Sequence, residues 1–143
     1  VESGESVVCP VHGAGVGPHR LAGRRLAGVV VSRHHGGTEV SGPIDVWLID
    51  AEGDATLVTA GSDWCLIVAD GVPHEGHDAG EWGRVEVARA DEKTPFAAHL
   101  GETVLAVHEV SEPGNGRRRV DFTFESGDVR CEVLAGELRL SAG

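Results

Sequence analysis

Basic residues are scarce in this chain: 12 lysines and arginines stand against 23 acids, and Lys93 is the single lysine. The resulting formal charge of -11 repels phosphate backbones, which disfavours general nucleic-acid binding and favours a basic partner. Long apolar runs are also missing. No stretch approaches the ~20 residues of a membrane span, and no charged-then-apolar leader precedes a small-residue cleavage site. Nothing here directs the chain to a membrane, and a reducing cytoplasm is the expected compartment. Cys9, Cys65 and Cys131 are odd in number and form no CxxC pair, which argues against a disulfide framework. Cys65 and Cys131 sit in apolar, strand-like runs and read as small buried hydrophobes. Methionine is absent altogether.

Helix signals are equally thin. The best is Pro95 to Leu100, about one turn, with Thr94 at its cap and Gly101 as its stop. An α/β fold needs amphipathic helices of about ten residues between strands, and the pattern supplies none. Nucleophile motifs are lacking as well. There is no Gly-x-Ser-x-Gly, and Gly61-Ser62-Asp63 reads as a strand corner.

What remains is β-structure. With 143 residues and 41% apolar content, the chain is long enough for one domain with one core. Val1 to Arg20 is rich in Gly, Ser and Pro and reads as an arm. Beyond it, apolar and β-branched runs recur between Gly-containing turns: Leu26–Arg33, Asp45–Asp50, Ala55–Thr59, Asp63–Ala69, Arg84–Ala90, Thr103–Val110, Arg117–Glu125, Val129–Leu134 and Glu137–Ser141. Glu52-Gly53-Asp54 and Ser126-Gly127-Asp128 are tight-turn sequences. Trp64-Cys-Leu-Ile-Val68, apolar on both faces, predicts a central strand. Trp47, Trp64, Phe122 and Phe124 are expected in the core.

The two halves resemble each other. Leu21-Ala-Gly-Arg-Arg-Leu26 matches His99-Leu-Gly-Glu-Thr-Val104, and Val46 to Asp54 matches Val120 to Asp128 without a gap. After a shift of one residue, Ala60-Gly61 matches Ala135-Gly136. The expected fold is therefore all-β: a small barrel or sandwich of eight or nine antiparallel strands, made of two similar, pseudo-twofold meanders. The expected layout is an arm at 1–20 and one domain at 21–143. Within the domain lie a first meander (21–69), a long loop (70–83), a connecting strand and turn (84–98), and a second meander (99–143).

The connection from Asp70 to Gly83 belongs to neither copy and gathers two histidines, four acids and Trp82. Loops of this length are often functional. His74-x-x-His77 followed by Glu81 faintly resembles the metal-binding run of cupins, His-x-His with Glu three or four residues on. That resemblance implies one divalent metal such as zinc, held by His74, His77 and Glu81 near a barrel mouth. It departs from the pattern in spacing: on a strand, His-x-x-His places the rings on opposite faces. A second motif, Pro-x-Gly followed by His, has no counterpart. As a contact loop, the same segment offers Trp82, Asp78 and Glu81 to a partner.

Other polar groups read more plainly. Cys9-Pro-Val-His12 is half a zinc pair without a matching half, and Gly13-Ala-Gly-Val-Gly17 lacks the strand and helix of a dinucleotide loop. Arg117-Arg118-Arg119 reads as a hairpin end balancing Glu109 and Glu112. Taken together, these residues predict a non-catalytic binding module without a cofactor, recognising a basic protein or a small ligand, for example an immunity-type inhibitor. The second reading is a small, metal-dependent β-barrel enzyme. The bias to Arg, Ala, Gly and Val accords with a GC-rich bacterial genome.

Overall fold

A computed structural model describes residues 18–36, 39–60, 65–78, 80, 83–89, 94–112, 116–134 and 137–142. Among the described residues ten antiparallel strands build two sheets, with the short 3-10 helices Pro18–Leu21 and Pro95–His99 beside them. The strands are β1 (Leu26–Gly36), β2 (Glu39–Asp50), β3 (Ala55–Ala60), β4 (Leu66–Asp70), β5 (His77–Asp78), β6 (Arg84–Arg89), β7 (Ala106–Glu112), β8 (Gly116–Phe124), β9 (Gly127–Leu134) and β10 (Glu137–Ala142). One sheet runs β4-β3-β2-β1-β6-β5 and the other β10-β9-β8-β7. The sheets do not close on each other, so the expected barrel-or-sandwich resolves to a sandwich.

Each meander supplies one sheet. Alternation decides which side chains meet between them. Val29 and Val31 of β1, Val46 and Leu48 of β2, and Val58 of β3 face Val120, Phe122 and Phe124 of β8 and Val129, Cys131 and Val133 of β9. Phe96, carried by the second 3-10 helix, is fully buried and meets Phe122 and Phe124 edge-on at centroid distances of 5.7 and 6.4 Å. The Thr94 hydroxyl makes no capping bond to this helix. Gly101, at φ +86°, turns the chain after it.

The segments that begin the two meanders pair with one another. Arg25 bridges Thr103, and the flanking hydrogen bonds come in matched pairs. Gly23 N–H donates to Val104 O, as Gly101 N–H donates to Leu26 O, both at 2.7 Å. Val104 N–H donates to Arg24 O at 2.8 Å, as Leu26 N–H donates to Glu102 O at 2.9 Å. A twofold relation between 21–26 and 99–104 passes through this bridge. It brings the β2–β3 and β8–β9 turns to one end of the sandwich, with Gly53 and Gly127 each in its turn. Gly61 and Gly136 lie outside the described residues.

Two expectations need correction. The apolar run ending at Val68 does not form a central strand, since β4 is the edge of its sheet. Leu66 and Val68 face the core, and Arg117 of the opposite sheet directs Nη1 at the Leu66 carbonyl (3.4 Å), so this edge is covered. The connection 70–83 is likewise not structureless: His77 pairs with Val85 and Asp78 with Arg84, extending the larger sheet beyond β6. Gly76 and Gly83 have positive φ, and a Cβ at either would run into the carbonyl of Val85 or His35. Only glycine allows this segment to lie so close to the strands.

Candidate functional site

His74 leaves β4 and crosses to the outer face of the larger sheet. There Trp47 projects between Val46 and Leu48, which point the other way into the core. Although on the outer face, Trp47 is only 2% exposed, and its indole meets the His74 ring edge-on at 5.2 Å. Gly76 N–H donates to His74 Nδ1 at 2.9 Å, which leaves Nε2 to carry the proton toward Asp45 Oδ2, 3.4 Å away. Asp45 is held in turn by Ser32, whose buried hydroxyl donates to Oδ2 at 2.8 Å and accepts the Asp45 N–H at 3.0 Å. Ser32, Asp45 and His74 form a chain, but the serine never touches the imidazole. They hold the connection against the sheet and do not form a nucleophile relay.

The metal grouping expected of the loop is described at His74 alone. A sandwich has no barrel mouth, and both ring nitrogens of His74 already face protein partners. For His77 and Asp78 only the course of the backbone in β5 is described, while Glu81 and Trp82 lie outside the described residues, as do Cys9, His12 and Trp64. Of the expected site residues only His74 has a described side chain, so the grouping of His74, His77 and Glu81, and that of Asp78, Glu81 and Trp82, lies outside the described residues.

Two clusters that residue spacing did not reveal lie at the end where the turns meet. In the first, Asp50, Glu52 and Asp54 hold carboxylate oxygens within 4.8 Å of one another. The Arg24 guanidinium lies among them: Nη1 is 2.5 Å from Asp50, 3.1 Å from Asp54 and 3.3 Å from Glu52. It brings the positive charge that such a group of acids attracts. Asp50 is the buried member at 4% exposure, and its Oδ1 accepts the N–H groups of Glu52 and Asp54 at 2.9 and 3.1 Å. Burial pushes its carboxyl up, but the bonds from Arg24 and the two amides bring it below its ordinary value. Its bonds to the Asp50 and Asp54 carboxylates raise the Arg24 guanidinium further.

In the second cluster, Glu102 stands where Arg24 stands in the first meander. It accepts Ser126 Oγ–H at 2.8 Å and Ser126 N–H at 3.1 Å, which holds its carboxyl below the usual range. His99 stacks on Phe124 at 4.5 Å and 7°, with Nδ1 3.0 Å from Ser126 Oγ. Serine and glutamate approach the same ring nitrogen, Nδ1. A serine nucleophile needs them on opposite nitrogens, so this group fastens the β8–β9 turn to the 3-10 helix. Each meander thus clamps its own turn from the equivalent position. Both clamps join residues far apart in the chain, which is why spacing alone missed them.

Arg117 meets the expectation of a balanced hairpin end, with Nε 2.5 Å from Glu109 Oε1. His19 Nε2 lies 2.8 Å from the other oxygen of Glu109. A concavity lies elsewhere. It is an open cleft of about 410 Å³ between β2 and β10, lined by Gly42, Pro43, Ile44, Ala60, Glu137, Leu138 and Arg139. Among the described residues no helix is long and apolar enough to cross a membrane. Fold and clusters together define an antiparallel β-sandwich with two fastened turns at one end. Comparison of the chain with protein families, curated proteins and solved structures finds no match.

Proposed function

We propose that this chain is a non-catalytic binding module that receives a basic protein surface at the end of the sandwich where the two Gly-Asp turns meet. One observation carries the reading. The Arg25–Thr103 bridge sets the turns side by side, and they present Glu52 and Asp54, 74% and 66% exposed, beside exposed Glu125. Asp70, paired with Thr56 one strand away, lies beside them with its charge balanced by an ion pair to Arg20. The Arg24 and Glu102 clamps fix the turns before any partner arrives, so docking orders little chain and loses little entropy. An acidic field of this kind speeds encounter with a basic surface and is sensitive to salt. An inhibitor of a basic protein, of the immunity type, would use such a surface.

The test is an NMR titration of the intact chain with a lysine-rich peptide, with a glutamate-rich peptide of equal length as control. Amide shifts should concentrate at 51–54, 70 and 125–128 for the basic peptide alone. They should shrink in the Glu52→Gln/Asp54→Asn/Glu125→Gln variant. Shifts spread evenly over both sheets, or unchanged in that variant, would overturn the assignment.

A further inference from the structure

An exposed strand edge is a template for another strand, and folded proteins usually cover, shorten or bulge their edges. Three of the four edges here are managed in this way. β4 is covered by Arg117, β5 has two residues, and β7 packs beside the first 3-10 helix, its pairing interrupted where Arg118 is the extra residue on β8. β10 packs beside β2 and β3, yet its six residues pair with β9 without a register break, contain no proline, and border the open cleft. Across the cleft, Pro43 has no N–H to offer, so β10 is the side that can accept a strand.

Backbone geometry says which groups are available. Leu134 and Glu137 flank a two-residue connection and pair directly, so they exchange both hydrogen bonds. Alternation then turns the N–H and C=O of Leu138 and Leu140 toward the free edge. The side chains there read Glu137-Leu138-Arg139, with the two charges on the outer face as an ion pair at 2.8 Å and Leu138 turned inward.

We propose that this edge pairs with a second copy of the chain, β10 against β10′, antiparallel about a twofold axis between the two Leu138 residues. In that register residues 137–139 of the two strands overlap, and over those three positions the pattern is self-complementary. Leu138 lies opposite its own copy, and Glu137 lies opposite Arg139 of the second chain, twice over. Shifting the axis to Arg139 would set two arginines face to face, which is destabilising in a cross-strand pair. Leu138 of the second copy would enter the cleft against Pro43, Ile44 and Ala60, where Ile44 is 39% exposed in the single chain. The acidic end is at the opposite end of β9 from Leu134, so this contact leaves the proposed partner surface open. The charge of -11 on each copy opposes association, but at ~0.15 M salt it is screened beyond about 8 Å.

Sedimentation equilibrium of the intact chain, from micromolar to millimolar in that salt, tests the proposal. The wild type should dimerise. Glu137→Arg alone and Arg139→Glu alone each set like charges opposite one another and should weaken the dimer by about tenfold or more. The double variant Glu137→Arg/Arg139→Glu should recover it, and an equimolar mixture of the two single variants should form a mixed dimer. Both side chains are exposed, so circular dichroism should show each variant folded. A wild type that stays monomeric overturns the proposal and leaves the edge to a foreign extended peptide. So does a dimer whose strength ignores both charge reversals.

Discussion

Asp50 offers the most direct check on how the β2–β3 turn is held. Its carboxylate accepts one charge-assisted bond from Arg24 and two backbone N–H bonds, from Glu52 and Asp54. Loss of the bond from Arg24 costs ~1.5–3 kcal/mol, and each amide bond to the same ionised carboxylate adds about 1 kcal/mol when its donor is left unsatisfied. The two amides lie in an exposed turn and regain water, so Asp50→Ala should destabilise by about 3 kcal/mol. Asp50→Asn keeps the acceptor at Oδ1 but loses the charge, and should cost about 1.5 kcal/mol. Arg24→Ala leaves a buried carboxylate held by amides alone, and the Arg24–Asp50 double-mutant cycle should show a coupling of ~1–2 kcal/mol.

Urea denaturation of the single and double variants measures these values, provided the transition is two-state. The pH dependence follows from the lowered carboxyl of Asp50. The unfolded chain holds that proton at higher pH than the folded one, so stability rises with pH through the interval between the two values. The Asp50 contribution is complete above the unfolded value of ~3.9 and falls away as pH drops through the lower, folded value. The gap between wild type and Asp50→Asn should therefore be constant near neutrality and narrow in acid. An Asp50→Ala cost below ~0.5 kcal/mol, or a cycle additive to within ~0.3 kcal/mol, would refute the clamp.

Other expectations follow from the packing. Phe96→Ala empties the contact with Phe122 and Phe124 and should cost ~3–5 kcal/mol in the same assay, although Phe96 lies outside the sheets. Gly83→Ala combines φ +98° with a Cβ placed against the His35 carbonyl, and should cost about 3 kcal/mol, with faster amide exchange in β5 and β6. Burial pushes the Cys131 thiol up, with the Asp121 charge adding to it, so Cys131 and buried Cys65 should resist thiol reagents until the chain unfolds, as read by peptide mass spectrometry. His74→Ala should lower the melting temperature modestly by uncovering Trp47, whereas EDTA should leave the wild-type melt unchanged. A chelator-sensitive melt would support a metal at the loop.

Most of the β-strands were legible because their signals are local. Val120, Phe122 and Phe124 alternate with polar residues, and that period places them on the core face whatever the partner sheet. The Gly53 and Gly127 turns were equally readable from their flanking acids and serines. The candidate site was not. Of the histidines and acids of 70–83, His74 directs its ring nitrogens at Gly76 and at Asp45, 29 residues away, a contact that composition does not report. The clusters that do form join Arg24 to Asp50 and Glu102 to Ser126, pairs 26 and 24 residues apart. No local period reports contacts of that separation.

By itself, the order of residues determined the all-β class, the matched segments 21–26 and 99–104, and the acidic charge, because alternation, turn chemistry and composition act within a few residues. Tertiary structure decided that the sheets stack rather than close, that the apolar β4 is an edge covered by Arg117, and that the long connection packs over Trp47. It also decided that the matched segments bridge each other, so that two turns distant in sequence share one acidic end. Each of these depends on which surfaces meet after the chain has folded, and packing between distant residues is the only force that chooses among them.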